Sequence, residues 1–308
     1  MVKLPILFLK TIARDYEMNI EKKKSLTANE IQQMKDLAHI CGQYDQIDYS
    51  SDLHVNFLTA RNKKEINDFL FFDDTQLIGA LSMYDFERPT KLELIGFVHP
   101  NYRKQHIGTA LLQTAMNEIQ KRDIDEALLI INGDSSSGKA FANQMKLPYL
   151  YSEYNMTCKS NKKRETMKNT IKLSIASSEL LPNLIEISSK AFGDSVANTS
   201  TWLQKMMKSP SHQVYVALMN EKSIGTITVT HQERSTTLSG FAVHPSYQGK
   251  GYGKDILSYM VHTLITEGVS TIELDVETKN NNALQLYTHC GFEIIMKHNY
   301  YDLFKKHQ

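Results

Sequence analysis

Two stretches of this chain stand in register, VHPNYRKQHIGTALL at 98–112 and VHPSYQGKGYGKDIL at 243–257. The spacing is 145 residues from His99 to His244, from Tyr102 to Tyr247 and from Gly108 to Gly253. Such a period in a chain of 308 residues, long for one domain and comfortable for two of about 150 each, calls for two copies of one domain-sized architecture. A hydrophobic content of 41% is ample for two packed cores.

Between the copies lies CKSNKKRETMKN, residues 158–169, polar and basic without apolar periodicity, which reads as a solvated linker. The division is then an N-terminal extension at 1–25, a first domain at 26–157, the linker at 158–169 and a second domain at 170–308. Alternation predicts strands in TIKLSIA, QVYVALM, SIGTITVTH, TTLSGFAV and TIELDVE of the second half. The stretch from Ser178 to Lys208 reads as mostly helical, and FEIIMKHNYYDLF reads as a terminal hairpin. Helical spacing of Ile256, Leu257, Met260, Leu264 and Ile265 follows the glycine loop, and NNALQLYTHC is a second helix. The first half repeats most of this with LIGALSMYD, KLELIGFV and EALLIIN as strands. The fold class is therefore α/β, a mixed sheet with helices on both faces, built twice.

Charge excludes rather than selects. With 35 Lys and Arg against 34 Asp and Glu, nothing favours nucleic acid or an anionic membrane surface. The apolar run of MVKLPILFLK is broken by Pro5 and is far short of the ~20 residues that a membrane span needs. Cys41, Cys158 and Cys290 are odd in number and lack metal-ligand spacing, which suits a reducing cytoplasm and leaves no metal site. Met18 is an alternative start to Met1.

Gly249, Gly251 and Gly253 fall between a strand and a helix. Glycines there let consecutive backbone N–H groups turn inward, and the helix N-terminus adds partial positive charge, so together they form a pyrophosphate cradle. FAVHPSYQGKGYGKDIL, with Gln-x-x-Gly-x-Gly at 248–253, resembles the acetyl-CoA loop of the GNAT N-acetyltransferase superfamily. Downstream, LDVETKNNNALQLYTHCGF at 274–292 resembles that superfamily's second signature. The layout is similar to tandem members of the mycothiol synthase type with one degenerate half.

That resemblance implies a donor, acetyl-CoA, and roles for particular residues. The strand end Phe241, Ala242 and Val243 would pair with the pantetheine arm. Gln248, Gly249, Lys250, Gly251, Tyr252, Gly253 and Lys254 would hold the diphosphate. Asn280 would meet the arm, with Ala283 in the same signature. Tyr287 would protonate the departing thiolate, since a phenol of ordinary pKa about 10 is protonated at neutral pH. Asp275 matches a position where some peptide-modifying members carry a carboxylate. By strand parity it shares a face with Glu273 and Glu277, and it reads as a base or as a solvated strand residue. A further acidic position of the family is filled here by Gly240.

The first half departs from the pattern. Lys104 and His106 replace the first two glycines, Ala142 stands at the place of Tyr287 and Lys146 at that of Gly291. The resemblance thus implies that 26–157 does not catalyse. GDSSSGKA at 133–140 approaches a phosphate loop, but Ala140 replaces the hydroxyl that would hold magnesium. His99 and His244 are expected to cap strand ends, Cys290 to be a buried thiol, and Trp202 to be lid or core. The expected activity is direct acetyl transfer to an amine of a small molecule, peptide or protein. The alternative is a non-catalytic CoA sensor or partner-binding module. Monomer and homodimer both stay open.

Overall fold

The computed structural model describes residues 19–61, 63–86, 88–159, 171–231, 235–277 and 281–304. They divide into two compact units, Met1–Ser152 with His298–Gln308, and Glu153–Lys297.

Unit 1 opens with β1 (Ile20–Lys23) and α1 (Ala28–Asp45). The start of α1 is fixed by a capping box: the Glu30 amide donates to Thr27 Oγ1 at 3.2 Å and the Thr27 amide to Glu30 Oε2 at 2.7 Å. Ile31, Met34, Leu37, Ala38 and Cys41 recur at helical spacing and are buried. There follow α2 (Val55–Thr59), β2 (Asp68–Asp73), β3 (Gln76–Tyr84), β4 (Lys91–Val98), α3 (Ile107–Ile119), β5 (Glu126–Asn132) and α4 (Ser136–Gln144). Strand β6 (Tyr149–Lys159) ends this half of the sequence.

Unit 2 repeats the order with β7 (Lys172–Ile175), α5 (Leu181–Phe192), α6 (Val196–Lys208), β8 (His212–Met219), β9 (Lys222–His231), β10 (Thr236–Val243), α7 (Tyr252–Thr266), β11 (Thr271–Glu277), α8 (Asn281–His289) and β12 (Glu293–Asp302). The helical stretch expected from Ser178 is two helices, because Gly193 takes φ +78 and closes α5. Asn220 and Glu221, both at positive φ, make the tight turn between β8 and β9.

The strand pairings match between units. In unit 1, β1, β2, β3 and β4 are antiparallel neighbours, β4 and β5 run parallel, and β5 pairs antiparallel with His298–Asp302 of β12. In unit 2, β7, β8, β9 and β10 are antiparallel neighbours, β10 and β11 run parallel, and β11 pairs antiparallel with Glu153–Lys159 of β6. The last strand of each sheet therefore comes from the other half of the sequence. Cys158 and Lys159, expected in a linker, finish β6, and Cys158 is buried; residues 160–169 of that stretch lie outside the described residues.

The expected terminal hairpin is a single ten-residue strand. Residues 292–304 hold no Gly or Pro to turn the chain, and the turn-forming candidates Asn299 and Asp302 are buried in the ladder opposite Ile131 and Leu128. Both sheets carry apolar cores. In unit 1, one core gathers around Leu111, Ala115 and Leu129 and the other around Leu37, Tyr84 and Ile130.

Candidate functional site

In unit 2 the sheet itself prepares an opening. Strands β10 and β11 pair only through Thr236–Ile272 and Thr237–Glu273 and then separate. On the other edge of β10 the register shifts between Ser239, opposite Thr228, and Ala242, opposite Thr226. Gly240 and Phe241 therefore share the single partner position Ile227, a β-bulge, with Gly240 at φ +56. A bulge withdraws backbone groups from the ladder and aims them elsewhere, here at the strand end that the sequence assigns to the donor's arm. The indole of Trp202 lies on Gly240, where an added Cβ would come within 2.4 Å of Cη2. A glycine inside an alternating strand is the sequence signal for such a feature.

Beyond Val243 the loop is rigidly made. His244 Nδ1 accepts from the Ser246 amide at 3.3 Å and caps a 3-10 turn at Pro245–Tyr247. Gln248 Nε2 donates to Val243 O at 2.8 Å, tying the loop to the strand end. Lys250 Nζ reaches Ser246 O at 2.8 Å. Gly249 and Gly251 take φ +72 and +87, and nothing lies within 4 Å of a Cβ placed on either. Helix α7 begins at Tyr252, so the amides of its first turn have no intrahelical acceptor. Open space beside two left-handed glycines and a helix N-terminus fit a diphosphate.

Gly253 is required for a different reason: an added Cβ would stand 3.3 Å from Leu286 Cδ2 and 3.8 Å from Phe241 Cζ, so its small size lets α8 approach. That approach seats Tyr287, buried with Phe241 at 6.4 Å and Phe292 at 6.0 Å between ring centroids. Burial pushes the Tyr287 hydroxyl up to about 12, with a smaller contribution from Cys290. Ala283 packs at the edge of the same core. Tyr252 lies beside Tyr247 with centroids 6.1 Å apart, and the Lys254 carbonyl faces the buried Cys290 thiol at 4.0 Å. Asp275 is exposed on β11 between Leu274 and Val276, which are buried, and accepts from Asn155 Nδ2 of β6. Glu273 and Glu277 share its face by register. Asn280 lies outside the described residues.

Unit 1 carries the same loop on a different set of side chains. His99 Nδ1 accepts from the Asn101 amide at 3.3 Å, and Arg103 Nε donates to Val98 O at 3.1 Å as Gln248 does to Val243. Lys104 and His106 both take φ +63, so the two lost glycines leave the backbone path intact. Strands β4 and β5 pair from Lys91–Glu126 to Leu94–Leu129 and then separate, without a bulge on the β3 side. A cavity of about 410 Å³ occupies that separation. Its lining includes Ile95, Phe97, Ile131 and Phe141, with Asp45, Tyr49, Asp52 and Arg103 supplying polar groups. Sequence reasoning missed it because three of these polar groups, Asp45, Tyr49 and Asp52, come from α1 and the segment after it, which carry no motif. Ala142, at the place of Tyr287, is fully buried. The phosphate-loop resemblance dissolves: Lys139 Nζ donates to Gly133 O at 2.9 Å, and Ser135 Oγ accepts from the Gly138 amide as the cap of α4. Among the described residues no group of three or more His, Cys, Asp or Glu is placed to hold a metal, and no helix is long and apolar enough to cross a membrane.

Comparison with known proteins bears on the family and the fold. The acetyltransferase (GNAT) family matches residues 31–140 and 181–292. The [Ribosomal protein bS18]-alanine N-acetyltransferase of Haemophilus ducreyi is 38% identical over 68 residues, 22% of this chain and 47% of that protein. Its counterpart in Escherichia coli K12 is 30% identical over 109 residues, 34% of this chain and 74% of that protein. The chain thus spans about half the length of the first of these relatives. Among solved structures, a GCN5-related N-acetyltransferase from Sphaerobacter thermophilus superposes with TM-score 0.75 at 16% identity, covering 94% of this chain and 98% of that one. A tandem GNAT protein from the clavulanic acid biosynthesis pathway gives TM-score 0.61 at 16% identity, covering 92% and 98%. At such identities the likeness is one of fold.

Proposed function

The chain belongs to the acetyltransferase (GNAT) family, and from that premise we propose that it transfers the acetyl group of acetyl-CoA to an amine at the unit 2 site. The observation that carries this reading is the pair Gly249 and Gly251, both left-handed with open space before them, at the head of α7. Their amides and those of Tyr252, Gly253 and Lys254 hold the diphosphate, with Lys250 beside them. The strand end Phe241–Val243 orients the arm, since the bulge at Gly240 frees backbone groups there. The donor supplies an activated thioester. Tyr287 holds a proton at its phenolic oxygen across the neutral range and delivers it to the leaving sulfur.

The acceptor must arrive as a free amine or lose its proton at the site. Asp275, exposed on β11 and oriented by Asn155, is the carboxylate available for that step. The ribosomal-protein alanine N-acetyltransferases among the relatives make a protein amino terminus the first acceptor class to try, ahead of small amines. Three buried cysteines suit a reducing compartment, the cytoplasm.

The test is thiol release from acetyl-CoA with alanine-terminated peptides and a panel of small amines, beside calorimetric titration of the donor. Amine-dependent release that Gly251→Arg abolishes supports the reading. Binding without release for every amine favours the sensor alternative, and absence of binding removes both.

A further inference from the structure

One side of the unit 2 sheet is polar from strand to strand, and the fold does not require it. Pairing and strand parity place Thr228 of β9, Ser239 of β10, Glu273, Asp275 and Glu277 of β11, and Thr157 of β6 on that face. The opposite face, with Ile227, Leu238, Leu274 and Met156, packs around Met260 of α7 as an apolar core. Helices α5 and α6 cover the polar face at β8, β9 and β10, while Asp275 and Glu277 are exposed. At the 145-residue register unit 1 has Leu128 and Ile130 in place of Glu273 and Asp275, both buried in the core against α1. The same architecture is built there with apolar side chains, so the carboxylates are not a demand of the fold.

They also work against the sheet. Glu277 stands directly opposite Glu153 in the β11–β6 ladder, and like charges so placed repel. Among the described residues no cation is paired with Glu273 or Glu277. Independently of charge, Thr157 and Thr228 are 7% and 0% exposed, and neither hydroxyl has a hydrogen-bond partner. Thr157 lies across the ladder from Glu273, and Thr228 across from Ser239. Buried hydroxyls are normally satisfied, and exceptions in a row beside carboxylates point to a group that arrives from outside. Carboxylate and hydroxyl oxygens both accept, so that group is a donor and a cation.

The face adjoins the proposed point of transfer. Strands β10 and β11 part after Thr237–Glu273, so Asp275 and Glu277 follow along the open edge, with the bulge at Gly240 on the neighbouring strand. Alternate residues of a strand lie roughly 6–7 Å apart along it, so Glu273 and Glu277 flank an amine held at Asp275 at about that distance on either side. We infer that Glu273 and Glu277 form a rail for a second positive charge on the acceptor, so that the amine acetylated at unit 2 belongs to a di- or polycationic molecule. This rests on the reading of unit 2 as the transferring site and names its substrate class.

The experiment measures thiol release from acetyl-CoA by the full-length protein and by Glu273→Gln, Glu277→Gln and the double variant. Two pairs of acceptors are compared: butylamine with butane-1,4-diamine, and an amidated alanine-terminated peptide with glutamine or with lysine at its second position. In at least one pair the dication should exceed the monocation in kcat/KM by about 10-fold, and the pair that does so tells a small polyamine from a basic amino terminus. Each single variant should raise KM for that dication about 3- to 5-fold, the range of an exposed ion pair, and leave kcat and the monocation unchanged. Glu277→Gln should keep or raise the unfolding midpoint, since it removes a like-charge contact, so that a raised KM is not lost structure. Equal kcat/KM within both pairs overturns the rail, as does a preference that survives the double variant. Should no amine release thiol, the transfer reading fails on its own, and calorimetric titration of butane-1,4-diamine decides the rail. Binding that the double variant abolishes upholds the cation site, and no binding overturns it.

Discussion

The indole of Trp202 rests on the backbone of Gly240, where an added Cβ would lie 2.4 Å from Cη2 and 3.1 Å from Cζ3. The glycine is required twice over, by this ring and by its own φ of +56 at the bulge. The acidic side chain that the family resemblance leads one to expect at this position has no room. Strand end, bulge and α6 are thereby fixed to one another at the edge of the proposed acceptor side.

Gly240→Ala should therefore cost about 2–3 kcal/mol, combining left-handed strain with displacement of the ring. Trp202→Ala relieves the collision but not the strain, so in a double-mutant cycle the pair should couple by at least ~0.5 kcal/mol. Urea unfolding of the four proteins measures this. Additive losses would mean that the ring does not sit on the glycine in solution.

Tyr287→Phe should leave acetyl-CoA affinity unchanged and lower kcat by about 10²-fold or more, the range for a lost general acid. Burial raises the phenol to about 12, so the protonated form is the one that the fold favours. The associated stability is full below the unfolded value of about 10 and is lost as pH rises through about 12. Between those values the wild type should lose on the order of 2 kcal/mol more than Tyr287→Phe does. Below pH 10 the two should show parallel stability profiles, and the pH dependence of kcat there should come from the acceptor amine and its base. Denaturant titrations at stepped pH, with initial rates, check both.

Lys104→Gly and His106→Gly should each stabilise unit 1, because both residues hold φ +63. The left-handed penalty of about 1–2 kcal/mol exceeds the extra entropy that glycine loses on folding, about 0.5–1 kcal/mol, so a gain near 0.5–1 kcal/mol is expected. Unfolding midpoints measure it. A loss in either variant would show that the side chain makes contacts worth more than the strain.

Much of this architecture was legible. Alternation placed β4, β5, β10 and β11 to the residue, and the 145-residue register placed both loops. The glycines announced the left-handed turns at 249 and 251 because a backbone angle is a local property. The Arg103–Asp45 pair was not legible, since the two residues are 58 positions apart and the repeat register marks only Arg103. Nor was the origin of the last strand in each sheet. Alternation tells which side of a strand is buried and carries no information on which strand lies beside it.

That last strand gives a prediction at odds with a collinear two-domain chain. His298–Asp302 pairs with β5, Tyr300, Tyr301 and Leu303 enter the two cores of unit 1, and His298 Nε2 stands 3.0 Å from the buried Asp52 Oδ1. A chain ending at Lys297 should therefore lose the stability of the first half of the sequence more than that of the second. Amide exchange should accelerate at Leu128–Asn132, while the α7 amides around Met260 keep their protection. In a collinear arrangement the same truncation would strip protection from β11 and spare β5, so the order of exchange decides between the two.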